Sequence, residues 1–419
     1  MSPKANPFFM NRFLSYAALI LCLLSACLDA PLDRSCSPAC SRGQVCNEAT
    51  LSCARVNQKK FTGNISGRAF DAVSVNDRVF VSAQNERGDI IVSEFSGSSL
   101  KNSVVLAEFE NNRTRKTVID ANDTTLVLAW REGEKYIVAS REIDRSRTLW
   151  NFQIAQGSYR ATDDFDILHV GDAFSLIFRD SSEGMFIIKS EVLEEEKWRL
   201  KPIEAKTQNI PLCENSDPGF DIDVLARSGA LLVAFQDRGC GVLMLLRREK
   251  NIWVSSIVDD GRSGRTGKMR VGRHPSLSIT EEGGIYIAYT DSENKLRLAR
   301  EKDGLFERIS VDDGKNTDTL SREVQNHVGA FSSIKSQDQN TKIAYYDGTE
   351  QRLLLAQSEG ELWKISVVEE GDFIVGMNSK LLSFSNRDWV LTEKLQSAPV
   401  GDSGGPTLTS SLVVIEIRP

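Results

Sequence analysis

The most specific chemical pattern in this chain of 419 residues is GDSGGP, at residues 401–406. A serine among glycines suits nucleophilic catalysis, because glycines allow backbone N–H groups to approach and stabilise an oxyanion. Ser403 would also need a histidine base that is oriented by a carboxylate. His274 and either Asp312 or Asp313 precede the serine and are the partners that the chain offers.

This hexapeptide resembles the active-site serine motif of chymotrypsin-like proteases, and the resemblance covers those six residues. The partner contexts differ from the family, because His274 lies in GRHPS instead of Ala-Ala-His-Cys and Asp312 lies in VDDGKN instead of before an apolar strand. In addition, 16 residues follow Ser403, whereas the family uses several tens to complete its specificity pocket and terminal helix. We therefore predict that Ser403 is not catalytic and that GDSGGP is a turn before the strand SLVVIEI.

Cysteine is the second source of chemistry, with eight residues in the chain. Four of them follow the spacing C-x3-C-x5-C-x6-C in a segment that is poor in large apolar residues, so this segment needs covalent cross-links to hold a fold. Zinc is the alternative, but zinc modules usually contain C-x2-C or histidine ligands and this segment has neither. The spacing resembles small disulfide modules of secreted bacterial proteins. We expect disulfides, with undetermined pairing, among Cys36, Cys40, Cys46 and Cys53.

The N-terminus predicts export and lipid attachment. Lys4 and Arg12 precede the apolar run 13–24, which has the length of a signal-peptide core and is short for a membrane span. The run ends in Leu-Ser-Ala-Cys, which resembles the lipobox of bacterial lipoproteins, although a plain secretory signal remains the alternative. The resemblance implies a signal peptide at 1–26 and a lipid such as palmitate on Cys27. Because Leu28 instead of Asp follows, it also implies anchoring in the outer membrane, on either face.

A repeated unit organises the rest of the chain. Residues 275–313 predict four short antiparallel strands, because apolar and aromatic residues alternate between turn residues. One position recurs over 301 residues in six steps (384 − 83), about 50 residues per repeat, as in propeller blades. We therefore predict an all-β fold, a seven-bladed β-propeller of four-stranded antiparallel blades over 56–419, after the Cys-rich segment 27–55. Each recurring residue ends the predicted second strand of its repeat, and SLVVIEI is the predicted fourth strand of the seventh blade. The recurring residues are Ala83, Trp130, Phe178, Phe235, Tyr289, Tyr345 and Phe384.

A polar residue follows each of these positions by two. Asp and Asn side chains bond their own backbone two residues on, so a turn former explains this pattern better than a ring of metal-binding carboxylates. We therefore predict neither a metal nor a cofactor. The polar residues are Asn85, Glu132, Asp180, Asp237, Asp291, Asp347 and Asn386.

The units IAYTDSENKLRLA and IAYYDGTEQRLLLA resemble repeats of sialidase-like, BNR-type extracellular propellers. The Asp-box of that family, S-x-D-x-G-x-x-W or T, is absent, and its arginine triad has no recognisable counterpart. Glycan hydrolysis is therefore not supported, and no carboxylate pair stands out for it. The net charge of −7 also argues against a nucleic-acid partner.

Long interblade connections predict the binding face. They span 201–218, 259–274 and 312–328, and share one face with the turns between second and third strands. Cys213 and Cys240 both belong to this face, so we predict that they form a disulfide. The middle connection is basic and suits an anionic partner, although a flexible solvated loop is the alternative. Its candidate binding residues are Arg262, Arg265, Lys268, Arg270 and Arg273.

Two classes of function remain open at this level. The first is a membrane-anchored binding or scaffold protein of the cell envelope that recognises a protein or a glycan. The second is an enzyme, either a glycan-active propeller or a serine protease that uses GDSGGP. We expect the first class, because no catalytic constellation stands out in the repeats, but propellers host both.

Overall fold

A computed structural model describes 20 stretches of the chain, and its contacts divide the chain into two units, 1–55 and 56–419. All regular elements among the described residues are strands, and no helix there is long and apolar enough to cross a membrane. The stretches are 44–47, 52–55, 61–63, 66–85, 88–96, 99–107, 116–143, 150–155, 157–170, 173–181, 187–194, 197–203, 205–207, 216–227, 230–249, 252–262, 270–317, 323–337, 340–397 and 408–417.

The first unit contains one described hairpin. Strand β1 (Gln44–Asn47) pairs antiparallel with β2 (Ser52–Arg55), and this register places the backbone of Cys46 opposite that of Cys53. Cys27, Cys36 and Cys40 lie outside the described residues. Lipidation and the disulfides of this segment therefore stay predictions.

The second unit is a ring of seven small sheets, numbered here in chain order with the strands of each given from the channel outwards. Sheet 1 contains β4 (Ser66–Val75), β5 (Arg78–Gln84), β6 (Ile90–Ser96) and β7 (Ser99–Ala107). Sheet 2 contains β8 (Thr117–Ala121), β9 (Thr125–Glu132), β10 (Lys135–Glu142) and β11 (Asn151–Ile154). Sheet 3 contains β12 (Ala161–Val170), β13 (Ala173–Asp180), β14 (Ile187–Glu194) and β15 (Lys197–Pro202). Sheet 4 contains β17 (Phe220–Arg227), β18 (Ala230–Asp237), β19 (Val242–Glu249), β20 (Ile252–Asp259) and β16 (Ala205–Thr207).

The remaining three sheets complete the ring. Sheet 5 contains β21 (Arg273–Ile279), β22 (Ile285–Thr290), β23 (Leu296–Lys302) and β24 (Leu305–Asp312). Sheet 6 contains β27 (Val328–Gln337), β28 (Asn340–Asp347), β29 (Arg352–Glu359) and β30 (Leu362–Glu369). Sheet 7 contains β31 (Ile374–Phe384), β32 (Arg387–Ser397), β33 (Leu408–Ile417) and β3 (Phe61–Gly63). A separate hairpin, β25 (Lys315–Thr317) with β26 (Glu323–Gln325), lies between sheets 5 and 6.

The β-propeller built from small antiparallel sheets is as predicted. Six of the described sheets have four strands, whereas sheet 4 has five, because β16 adds in parallel to β20 with Ala205 opposite Trp253. The prediction of seven four-stranded blades is therefore wrong for sheet 4. The connections 201–218 and 312–328, predicted as loops, contain β16 and the β25–β26 hairpin.

Strand β3 closes the ring. It comes from the N-terminal side of the propeller and pairs antiparallel with β33, so that Phe61 lies opposite Val414. The strand SLVVIEI is therefore the third strand of sheet 7, not the fourth as predicted, and Phe384 ends a first strand, not a second. Bulges between Val375 and Lys380 interrupt the alternation of β31, so the sequence pattern predicts two short strands, FIVGM and LLSFS, where the structure has one.

The recurring aromatic residues form the core between neighbouring sheets. Trp130, Tyr289 and Tyr345 are among the largest fully buried side chains of the described residues. The turn role of the polar residue two positions on is confirmed at Asp291, whose Oδ1 accepts the backbone N–H groups of Glu293 (2.9 Å) and Lys295 (3.0 Å). The repeated sequence pattern therefore builds the scaffold.

Candidate functional site

Side chains near the middle of the first strands join neighbouring sheets by hydrogen bonds to the backbone. Asp71 Oδ2 accepts from Ile119 N at 3.0 Å, and Asp223 Oδ2 accepts from Leu277 N at 2.5 Å. Ser276 Oγ accepts from the next sheet at 3.2 Å, from the N–H of Ile334. We call Asp71, Asp166, Asp223, Ser276, Ser333 and Lys380 the inner belt. All of them occupy the same position of the first strand.

The inner belt ends in an ion pair that joins sheet 7 to sheet 1. Lys380 Nζ lies 2.8 Å from Asp71 Oδ1. Burial acts to lower the pKa of Lys380, but Asp71, Asp166 and Asp223 together raise it above its usual value. Burial also raises the pKa of Asp166 to about 7 and that of neighbouring Asp120 to about 6. The belt is therefore a charged structural ring whose carboxylates are only partly compensated.

Two residues before the belt position, each first strand presents a side chain at the mouth of the channel. We call this set the mouth row. In contrast to the belt, the chemical type changes from sheet to sheet. Its members are Ala69, Lys116, Asp164, Asp221, His274, Phe331 and Asn378.

Most residues of the mouth row have a strained backbone conformation. Five of its members have φ between 49° and 52°, the left-handed region that costs a non-glycine residue about 1–2 kcal/mol. Each of these five lies within or beside a bulge of its strand. Bulges re-aim side chains, and strain of this kind clusters at functional sites. The strained residues are Ala69, Asp221, His274, Phe331 and Asn378.

The row is continuous across sheets 3 to 6. Asp164 Oδ1 accepts a hydrogen bond from Asp221 N at 3.0 Å, and Asp221 Oδ2 accepts one from His274 N at 3.2 Å. The His274 ring lies 4.6 Å from the ring of Phe331, which lies 6.4 Å from the ring of Tyr346. Two carboxylates, an imidazole and two aromatic rings therefore follow one another along this edge of the mouth.

Cationic groups lie beside the carboxylate end of the row. Arg179 Nη1 is 3.5 Å from Asp164 Oδ2, and the guanidinium carbon of Arg179 is 3.7 Å from the ring centroid of Phe220. The guanidinium carbon of Arg238 lies at the same distance, 3.7 Å, from that ring. Burial lowers the pKa of His274; the charge of Asp221 opposes this shift, and the charges of Arg273 and Arg238 support it. His274 is therefore neutral at pH 7 and offers one ring nitrogen as a donor and one as an acceptor.

The structure separates the predicted basic residues. Arg273 Nη2 donates to Asp291 O at 2.9 Å and to Asn294 Oδ1 at 2.5 Å, so its guanidinium holds a turn of sheet 5. The side chain of Arg262 is 71% exposed, with its Nε 3.4 Å from Asp260 Oδ2, and Arg270 is also exposed. Arg265 and Lys268 lie outside the described residues.

The structure describes only some of the residues that were predicted to form the disulfide or considered for serine chemistry. Cys240 is buried and disulfide-bonded, while Cys213, its predicted partner, lies outside the described residues. Ser403 also lies outside them. Asp312 accepts a hydrogen bond from Tyr345 Oη at 2.7 Å, whereas the backbone N–H of His274 donates to Asp221 Oδ2 at 3.2 Å. His274 lies in the mouth row, and the absence of a catalytic role for Ser403 stays a prediction.

Among the described residues, no group of three His, Cys, Asp or Glu side chains is placed to hold a metal ion. The mouth row itself offers groups for recognition through hydrogen bonds, charge and aromatic surface. Proton transfer by His274 is a further capability of the same groups.

The sequence contained a signal for the mouth row that our prediction missed. A glycine with positive φ precedes the strained residue by two positions in four sheets, at Gly219, Gly272, Gly329 and Gly376. A Cβ at Gly272 would lie 2.8 Å from Leu243 Cβ, so glycine is required there. A constant glycine followed by a variable residue marks the place where the repeat changes its chemistry.

No protein-family model matches this chain, and a search of curated proteins finds no match either. Solved structures share its fold. A polysaccharide lyase described as an ulvan lyase is 10% identical, with a TM-score of 0.57 over 84% of this chain and 93% of its own. The same kind of enzyme bound to GlcA(1-4)Rha3S is also 10% identical, with a TM-score of 0.54 over 83% of this chain and 93% of its own. Polysaccharide lyase Uly1 is 11% identical, with a TM-score of 0.52 over 85% and 91%.

Proposed function

We propose that this propeller binds an acidic polysaccharide across the first mouth of its channel. The observation that carries the proposal is the mouth row, where unlike and strained side chains follow one another over four sheets. The rings of Phe331 and Tyr346 offer apolar faces to sugar rings, and His274 and Asp221 offer hydrogen-bonding groups between them.

Charge favours an anionic ligand on this face. Arg238 lies in the turn between the second and third strands of sheet 4, and Arg262 and Arg270 lie in the connection that leaves the same sheet. All three are exposed, in a chain whose net charge is −7. A local basic surface against an acidic background attracts carboxylate or sulfate groups. A propeller of this fold has been solved with a disaccharide that carries both kinds of group.

The proposal includes the cellular setting. Cys27 in the sequence LSAC would carry the lipid that holds the propeller at the outer membrane, and residues 28–60 would connect the two. A polysaccharide-binding propeller on such a tether would keep a polymer of the cell envelope or its surroundings close to the membrane.

A glycan-active enzyme is the second candidate, because one observation favours it. Burial lowers the pKa of His274, so its imidazole is neutral at pH 7 and can accept a proton from a bound sugar. Incubation of the protein with acidic polysaccharides separates the two candidates, since an enzyme shortens the polymer and a binding protein leaves its length unchanged.

The proposed function is tested by calorimetric titration with polygalacturonate, alginate and chondroitin sulfate, with dextran as the neutral polymer. We expect at least one acidic polymer to bind and dextran not to bind. Phe331→Ala and His274→Gln should each weaken binding about tenfold, which corresponds to about 1.4 kcal/mol. Arg238→Gln should make polymer binding less dependent on salt concentration.

Phe152→Ala is the matched control, because Phe152 is 49% exposed on the outermost strand of sheet 2. Its affinity for the polymer should equal that of the wild type. Binding that is unaffected by both mouth-row variants, or equal binding of dextran, would contradict the proposal.

A further inference from the structure

The channel has a second mouth with a pocket of its own. Hydrogen bonds join equivalent positions of successive first strands, so these strands all run the same way and end at the opposite face. An open pocket of about 950 Å³ lies there, beside the turns that follow the first strands of sheets 1 and 7. Asp77, Gln337, Ser385, Asn386 and Arg387 contribute to its rim.

Lys342, Ser383 and Asp388 line this pocket and form an ionic cluster with Lys335 between sheets 6 and 7. Lys342 Nζ lies 2.5 Å from Asp388 Oδ2, and Lys335 Nζ lies 3.5 Å from Asp388 Oδ1. The hydroxyl of Ser383 is hydrogen-bonded to both Lys335 and Asp388. The exposed fractions are 24% for Lys335, 12% for Lys342 and 17% for Asp388, so the cluster is largely removed from solvent.

The cluster carries an excess positive charge. Two ammonium groups share the single carboxylate of Asp388, while at the rim Arg387 is already paired with Glu416 at 2.8 Å. The other rim carboxylate, Asp77, is exposed and accepts the N–H of Ser385 at 3.0 Å. Burial lowers the pKa of Lys335, against the opposing effect of Asp388. An incompletely paired buried charge is costly, and an added anion would remove that cost.

We propose that the second mouth binds an acidic sugar residue whose carboxylate pairs with the ammonium group of Lys342. The size of the pocket favours a sugar over an inorganic ion, because 950 Å³ exceeds what a single ion fills. The rim also supplies the amides of Gln337 and Asn386, which suit sugar hydroxyl groups. This site is separate from the mouth row and does not depend on the function proposed for it.

Calorimetric titration of the full chain with three small probes tests the proposal. Glucuronate carries both the ring and the charge, glucose carries the ring alone, and sulfate carries charge alone. We expect glucuronate to bind at least tenfold more tightly than either of the other two. Lys342→Met, which removes the excess cation, should weaken glucuronate binding at least tenfold. Asp388→Asn, which removes the competing carboxylate, should strengthen it.

Two controls keep the result interpretable. Lys302→Met changes an exposed lysine of sheet 5, away from the pocket, and should bind glucuronate as the wild type does. Circular dichroism checks that Lys342→Met is folded, and the Asp388→Asn variant decides the question if it is not. Absent glucuronate binding, equal binding of glucose or sulfate, or weaker binding by Asp388→Asn would each overturn the proposal.

Discussion

The inner belt and the mouth row lie two residues apart on the same strands, yet they obey different rules. In the belt, Asp71, Asp223, Ser276 and Ser333 perform one task, because each accepts a backbone N–H of the next sheet. In the mouth row, lysine, aspartate, histidine, phenylalanine and asparagine occupy equivalent positions.

The difference separates structure from candidate function within a repeat. Where every copy makes the same hydrogen bond, the residue is explained by the assembly of the ring. Where equivalent positions carry unlike side chains on strained backbone, the assembly of the ring does not explain them. The belt should therefore respond to mutation in stability, and the mouth row in binding.

The largest expected effect is on the ring-closing ion pair of the belt. Lys380→Met leaves Asp71, Asp166 and Asp223 without their shared cation, and removing one partner of a buried pair is strongly destabilising. Solvent partly screens this pair, because 37% of the Lys380 side chain is exposed. We therefore expect the free energy of unfolding to fall by about 2 kcal/mol, which is less than for a fully buried pair. Urea denaturation measures it.

Lys364→Met is the matched control for this substitution. Its ammonium group lies 3.6 Å from Glu359 on the outside of sheet 6, where both side chains are well exposed. Such surface pairs contribute about 0–1 kcal/mol. Equal losses of unfolding free energy in Lys380→Met and Lys364→Met would show that the belt ion pair has no special role in stability.

A smaller effect concerns pH. Burial raises the pKa of Asp166 to about 7, so the folded state holds a proton that the unfolded state releases near pH 4. Stability from this group is therefore present at low pH and declines as the pH rises towards 7. Asp166→Asn mimics the protonated carboxyl, and should flatten the decline in Tm between pH 5 and 8, with a gain of roughly 2–5 °C at pH 8.

The groups that face Asp166 set this expectation. Asp71 and Asp223 favour its protonated form, whereas Lys116 and Lys380 oppose it. Asp303→Asn, in an exposed turn, should leave the pH profile unchanged. A profile of Asp166→Asn that follows the wild type would show that Asp166 ionises freely.

The smallest effect concerns strain in the mouth row. Ala69 has a φ of 49°, so Ala69→Gly should stabilise the protein by about 0.5–1 kcal/mol. Ala72→Gly, a buried position three residues later in the same strand, should instead destabilise it by about 1 kcal/mol. Thermal unfolding of the two variants measures both signs. A destabilising Ala69→Gly would show that the strained conformation carries no cost.

The sequence predicts the scaffold well and the site poorly, for physical reasons. Alternation and aromatic spacing predict the strands, because both follow from burial between sheets. The fifth strand of sheet 4 has no such pattern, since β16 has three residues. The predicted strand positions in sheet 7 are wrong because its fourth strand, β3, comes from the other end of the domain. His274 was considered as a protease base, because only the fold shows that Asp221 and Phe331 are its neighbours.

The join between β3 and β33 has a consequence for synthesis of the protein. The two strands are separated by more than three hundred residues, so the first strand of the domain leaves the ribosome long before its partner exists. Until β33 has been synthesised the ring cannot close, and its open strand edges can pair with other chains. The last step of folding is therefore a long-range closure, which topology makes slow. A partly made ring is therefore the form of this protein that is most exposed to aggregation during synthesis.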